Sequence, residues 1–106
     1  MIFNTHLSNF CGFEFATFKL NTGVSEQQLI ELSTELEETF LSQQTELLGH
    51  FLLKGSDGIY ADVTLATTQQ KAEEYCQQWL DNAVALKYLS LLDQDSVSMT
   101  FWGKIN

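Results

Sequence analysis

The sequence predicts an α+β domain with the element order β-α-β-β-α-β. Three observations carry this reading. Runs rich in β-forming residues lie near both ends, at 13–20 and 96–104. Two segments between them place apolar residues at helical spacing. In mid-chain, two strand-like runs flank Gly55-Ser56-Asp57-Gly58, which reads as a β-hairpin.

The elements follow in order. Residues 13–20 form the first strand, and Asn21-Thr22-Gly23 turns the chain. Ser25 then caps a helix, with Gln28 completing a capping box and Val24 and Leu29 able to pack across the cap. Leu29, Leu32, Leu36 and Phe40 continue this helix to about Leu41. Residues 47–54 and 58–66 are the hairpin strands. Thr67 or Thr68 caps the second helix, whose inner face carries Ala72, Tyr75, Cys76 and Trp79. Asp81-Asn82 interrupts it, a short helix follows over 83–92, and residues 96–104 form the last strand. Right-handed crossovers fold this order into a four-stranded antiparallel sheet with the helices on one face, the ferredoxin-like arrangement.

The whole chain, residues 1–106, reads as one domain with its ordered core at about 13–103; 44% of the residues are hydrophobic. Fourteen acidic and five basic residues give a formal net charge of −9, and every basic residue is a lysine. A nucleic-acid interface needs cations to displace condensed counterions, so no nucleic-acid partner is expected. Anionic membrane surfaces are disfavoured on the same ground. The stretch from Met1 to Ser8 lacks a leader pattern, and no segment has the apolar length of a membrane span. Cys11 and Cys76 have no metal or redox spacing, and two free thiols suit a cytoplasmic location.

Both faces of the sheet carry large apolar groups. Phe13 and Phe15 oppose Ala16, Phe18 and Leu20; Leu47, Phe51 and Leu53 oppose Leu48, His50 and Leu52. Helices on one side cover only one of these faces. A second copy of the chain, sheet against sheet, is therefore expected to cover the other, making a homodimer.

Three segments resemble the dimeric α+β-barrel superfamily, in its antibiotic-biosynthesis-monooxygenase-like branch. They are Phe18-Lys19-Leu20-Asn21-Thr22-Gly23-Val24-Ser25, Leu52 to Val63 through the hairpin turn, and Trp79-Leu80-Asp81-Asn82-Ala83. The resemblance spans about residues 13–103. That superfamily includes cofactor-free oxygenases of aromatic polyketides, haem-degrading enzymes and members without an assigned activity. The resemblance implies a dimer with a small-molecule cleft between sheet and helices. The haem-degrading relatives use an Asn, a Trp and a His that align with Ala16, Ala66 and Leu89 here. None matches, so haem degradation is disfavoured and no cofactor is expected.

Candidate site residues each carry two readings. His50, inside an apolar strand, is either a general base or a core histidine bonded to the backbone, and it is the best single catalytic candidate. An even-length hairpin turn is expected, which sets His50 beside Val63 and Leu65 on the helix face. Tyr60, Asp62 and Thr64 then form a polar stripe on the opposite face, as do Ser98, Thr100 and Trp102. An odd-length turn would instead place His50 with Asp62 and Thr64. Asp62 near Tyr60 is either a ligand-binding acid or an interface contact. Tyr75 and Trp79 form either an aromatic ligand wall or plain core. Glu31, Glu35 and Glu38 share a helix face that reads as solvated, and no metal site is expected.

Three function classes fit this topology. They are a small-molecule binder, possessing a cofactor-free monooxygenase-like activity on an apolar or aromatic substrate; a non-catalytic dimeric structural or interaction module; and an RNA-recognition domain. Phe13, Phe15 and Tyr60 stand where an RNA-recognition domain stacks bases, but the net charge of −9 opposes that class.

Overall fold

A computed structural model describes residues 1–106. Its strands are β1 (Ile2–Phe3), β2 (Gly12–Lys19), β3 (Leu47–Lys54), β4 (Ile59–Ala66) and β5 (Ser98–Gly103). Its helices are α1 (Glu26–Thr39), α2 (Gln69–Gln78) and α3 (Ala83–Ser90). One antiparallel sheet of five strands has the order β1-β3-β4-β2-β5. The last four of these reproduce the ferredoxin-like order. β1 is the added strand: Ile2 lies opposite His50 and Phe3 opposite Gly49. A run of two residues is too short to show alternation, which hides it from periodicity.

The helix starts follow local chemistry. The Ser25 hydroxyl accepts from the Gln28 N–H, and the Gln28 side chain accepts from the Ser25 N–H. Thr68 caps α2 by accepting from the Lys71 N–H, and Asn82 caps α3 by accepting from the Ala85 N–H. A single helical turn, Trp79–Asp81, separates α2 from α3. Gly12 is required at the β2–α2 crossing, because a Cβ there would lie 2.1 Å from the Thr68 carbonyl oxygen.

The hairpin turn is odd, which corrects the expected register. The Gly55 N–H donates to the Ile59 carbonyl at 2.8 Å, leaving Ser56, Asp57 and Gly58 as the loop. Asp57 and Gly58 have φ of 57° and 77°, two successive left-handed residues that short polar and glycine side chains tolerate. Lys54 therefore faces Tyr60, Leu52 faces Asp62 and His50 faces Thr64. Asp62 and Thr64 do not form a stripe on the far face: they point to the helices, on the same side as His50.

Two apolar clusters fill the space between sheet and helices. Leu36, Leu41, Leu47, Ala66, Ala72, Tyr75 and Ala85 form one, and Phe18, Leu29, Tyr88 and Leu92 the other. The far face of the sheet keeps apolar groups at its surface. Phe3 stacks on Phe51 with ring centroids 5.5 Å apart, Phe13 stacks on Phe15 at 6.1 Å, and Trp102 is exposed.

Candidate functional site

Between the two clusters lies a set of buried ionisable groups that the sheet and two helices assemble. Even-numbered positions of β2 and β4, and of β3 beyond the irregularity between Leu47 and Gly49, face the helices, so Glu14, His50 and Asp62 share one side. α1 contributes Glu37, and α3 contributes Tyr88.

His50 is at the centre and has no solvent exposure. Its Nδ1 lies 2.6 Å from Glu37 Oε2, and its Nε2 lies 2.8 Å from Asp62 Oδ1. The Tyr88 hydroxyl donates to the other Asp62 oxygen at 2.7 Å. The amino group of Met1 bonds to the second Glu37 oxygen. The result is a continuous chain of bonded groups, Glu37–His50–Asp62–Tyr88.

The electrostatics follow from this geometry. Burial alone would depress the His50 pKa, but the charges and hydrogen bonds of Asp62 and Glu37 outweigh it and lift it to about 10. His50 is thus an imidazolium at neutral pH, bonding both carboxylates. Burial raises the Glu37 pKa, but the bonds from His50 and the Met1 amine more than offset this, so it lies below the usual value. Burial and the neighbouring Asp62 charge push the Tyr88 phenol well above its ordinary value.

Glu14 differs from the others. It is only 5% exposed, yet its carboxyl has no hydrogen-bond partner in the chain. Across the β2–β4 ladder it pairs with Thr64, which makes it a diagonal neighbour of Asp62. Burial, and secondarily the Asp62 charge, raise its pKa to about 8. Glu14 is therefore mostly a neutral acid at pH 7, beside a carboxylate held by an imidazolium. Paired carboxyls whose environments differ in this way are the usual basis for acid–base chemistry.

Glu14 and Asp62 open onto a cavity of about 320 Å³, at the small end of the range for ligand sites. It lies between the sheet and the α2–α3 segment. Ten of its fourteen lining residues are hydrophobic, among them Phe18, Trp79, Tyr88 and Leu92. Gln77, Leu80 and Met99 are exposed and form its rim. The Trp79 and Phe18 rings meet Tyr88 edge-on, at 5.3 and 6.4 Å. Cys76 also lines it, but burial and then the Glu14 charge push its thiol up to about 11, so it is not an activated nucleophile.

Of the residues singled out from sequence, His50, Asp62 and Trp79 converge here. His50 stands behind Asp62 and does not touch the cavity. Tyr60 lies elsewhere, donating to Glu26 at 3.0 Å, and Tyr75 belongs to the neighbouring apolar cluster. Glu14, Glu37 and Tyr88 were not anticipated. The alternation of β2 was a usable signal for Glu14, since it puts that residue on the face of Ala16 and Phe18. Ala16 and Leu89, aligned with haem-site positions, both line the cavity as apolar groups. No three His, Cys, Asp or Glu side chains are placed to hold a metal ion, and no helix is long and apolar enough to cross a membrane.

No family model and no curated protein matches the sequence. Solved structures do match the fold. A proposed antibiotic biosynthesis monooxygenase from Caulobacter crescentus CB15 superposes with a TM-score of 0.69 at 10% identity, covering 92% of each chain. A conserved protein from Methanosarcina mazei Go1 gives 0.67 at 10% identity, over 94% of this chain and 98% of that one. SnoaB, a cofactor-independent oxygenase from Streptomyces nogalater, gives 0.58 at 12% identity, over 90% of this chain and 91% of that one. The chain has the α+β fold of the antibiotic-biosynthesis-monooxygenase-like proteins.

Proposed function

We propose that the chain binds a small apolar or aromatic molecule in the cavity between sheet and helices, and acts on it as a cofactor-independent, monooxygenase-like enzyme. The observation that carries this reading is the placement of two buried carboxyls, Glu14 and Asp62, on one wall of an otherwise apolar cavity. A carboxyl that faces an apolar cavity with no partner in the chain is placed to meet a bound molecule.

In this reading Asp62 accepts a proton from a substrate carbon, and the resulting carbanion gives its electrons to dioxygen. Asp62 returns its proton to the peroxide so formed, and the O–O bond breaks as the carbon gives up its second hydrogen, leaving a carbonyl on that carbon and releasing water. Glu14, beside Asp62 on the same wall, orients the bound molecule. His50 is a positioning residue: its imidazolium holds one Asp62 oxygen while Tyr88 holds the other. Two copies of the chain associate through the far face of the sheet, where Phe3, Phe51, Phe13 and Phe15 lie.

The test is oxygen consumption with a quinol-type aromatic substrate. Wild type should turn over, Asp62→Asn should lose most of the rate, and His50→Gln should keep substrate affinity while losing turnover. Equal rates in wild type and Asp62→Asn would overturn the catalytic reading.

A further inference from the structure

The charge arrangement around the cavity says more about its occupant than its apolar lining does. Within the buried chain of groups the charges are satisfied. The His50 imidazolium bonds both Glu37 and Asp62, the Met1 amine bonds Glu37, and Tyr88 completes Asp62. Glu14 is left over. It points into the cavity, is 5% exposed, and has neither a hydrogen-bond donor nor a cation to pair with.

The groups facing Glu14 from the elements packed around it sharpen the point. Asp62 on β4 adds a negative charge, and the His50 imidazolium on β3 offsets part of it. Cys76 on α2 and Tyr88 on α3 are held in their neutral forms, chiefly by burial. Phe101 of β5 lies opposite Glu14 in the ladder and brings no charge. The cavity wall thus lacks one positive charge, which a proton supplies when nothing is bound. An anionic ligand would meet two carboxyls across a low-dielectric space, and a neutral one would leave Glu14 as it is. Trp79, Tyr88 and Phe18 provide aromatic surface of the kind that favours an organic cation.

We propose that the cavity takes a small lipophilic amine, bound as its ammonium ion, with the nitrogen on Glu14 and the apolar body against Phe18, Trp79 and Leu92. This rests on the cavity being a ligand site, and it narrows the ligand to a class. Binding replaces the Glu14 proton with the ligand's charge, so the ligand displaces a proton into solution.

The probe is 2-phenylethylamine, with 2-phenylethanol as its neutral counterpart. Both are titrated calorimetrically at pH 7 and pH 9, in two buffers of different ionisation enthalpy. Because the Glu14 pKa is about 8, the amine should release close to one proton per site at pH 7 and almost none at pH 9. Its affinity should rise about tenfold between those values, since an alkylammonium near the lysine pKa of about 10.4 stays charged. The alcohol should bind more weakly than the amine at pH 9 and show no pH dependence. Glu14→Gln, which keeps the shape of the side chain, should bring the amine down to the alcohol's affinity and abolish proton release. The proton count is taken on wild type, so it decides the matter even where Glu14→Gln folds poorly. Equal, pH-independent binding of amine and alcohol would overturn the inference and leave the ligand site standing. Binding of neither would remove both.

Discussion

The imidazole of His50 meets Asp62 at 2.8 Å with no part of the ring exposed to solvent. Its other nitrogen is taken by Glu37. A buried cation between two buried carboxylates stabilises only as a complete set, because removing it leaves Asp62 buried without a countercharge and Glu37 with the Met1 amine alone. His50→Ala should therefore cost about 3–5 kcal/mol, a large part of the roughly 5–15 kcal/mol that holds a domain folded. Urea unfolding at pH 7 measures it. Adding Glu37→Gln and Asp62→Asn to His50→Ala should recover part of the loss. A single-variant cost below about 1 kcal/mol would show that the set contributes little.

The same groups set how stability changes with pH. His50 rises from an ordinary 6.5 to about 10 in the folded chain, so the folded state holds its proton more tightly. That contribution is complete below pH 6.5 and is lost as pH rises through 10. Glu14 rises from 4.5 to about 8, so ionising it opposes folding, and its contribution fades between those values. Glu37 is lowered, so its share is present above pH 4.5 and lost on further acidification. Stability should accordingly decline from pH 5 towards pH 10, measured as urea midpoints across that range. Glu14→Gln should flatten the part between pH 5 and pH 8 and be more stable than wild type at pH 9. A wild-type curve that rises from pH 5 to pH 9 would contradict this assignment of protons.

The fold could be read from the sequence because its signals are local. The Ser25–Gln28 capping box, the Asn82 interruption and the hairpin strands all depend on neighbours a few residues apart. The site was only partly readable because its geometry depends on parity. One residue more or fewer in the turn at Ser56-Asp57-Gly58 moves Asp62 from one face of the sheet to the other. The turn residues permit either length, so the sequence leaves the question open. Glu37 was hidden differently. It sits on a helix rich in exposed glutamates, and only its spacing of four from Ser33 and eight from Leu29 marks it as inward-facing. Its burial depends on a histidine from another element, which helical periodicity cannot show.

The turn that fixes this parity relies on backbone conformation. Gly58 has φ of 77° and open space where a Cβ would go, so conformational strain is the only penalty for a side chain there. Gly58→Ala should cost about 1–2 kcal/mol, lowering the melting temperature by about 4–8 °C per kcal/mol for a domain of this size. Asp57→Asn should change stability by less than about 0.5 kcal/mol, because asparagine adopts the same left-handed conformation readily. Thermal unfolding followed by circular dichroism gives both numbers. Equal melting temperatures for wild type and Gly58→Ala would show that the turn relaxes to another form.

The far face of the sheet leads to a prediction about assembly. It presents Phe13, Phe15 and Phe51, with Trp102 paired opposite Phe13, Phe3 beside Phe51 and no helix above them. Phe3 and Trp102 are 54% and 58% exposed, an apolar surface large enough to expect a partner. The matching pattern on a second copy covers it without any new chemistry, since a two-fold interface needs only one self-complementary patch. Light scattering should give twice the 12.0 kDa chain mass at micromolar concentration. The pair Phe15→Asp and Phe51→Asp, introduced together, should give the mass of one chain while the far-ultraviolet circular dichroism spectrum stays that of wild type. The cavity is on the opposite side of the sheet, so the ligand-binding heats of this variant should also match wild type. A wild-type chain that scatters as a single copy would remove the sheet-to-sheet dimer.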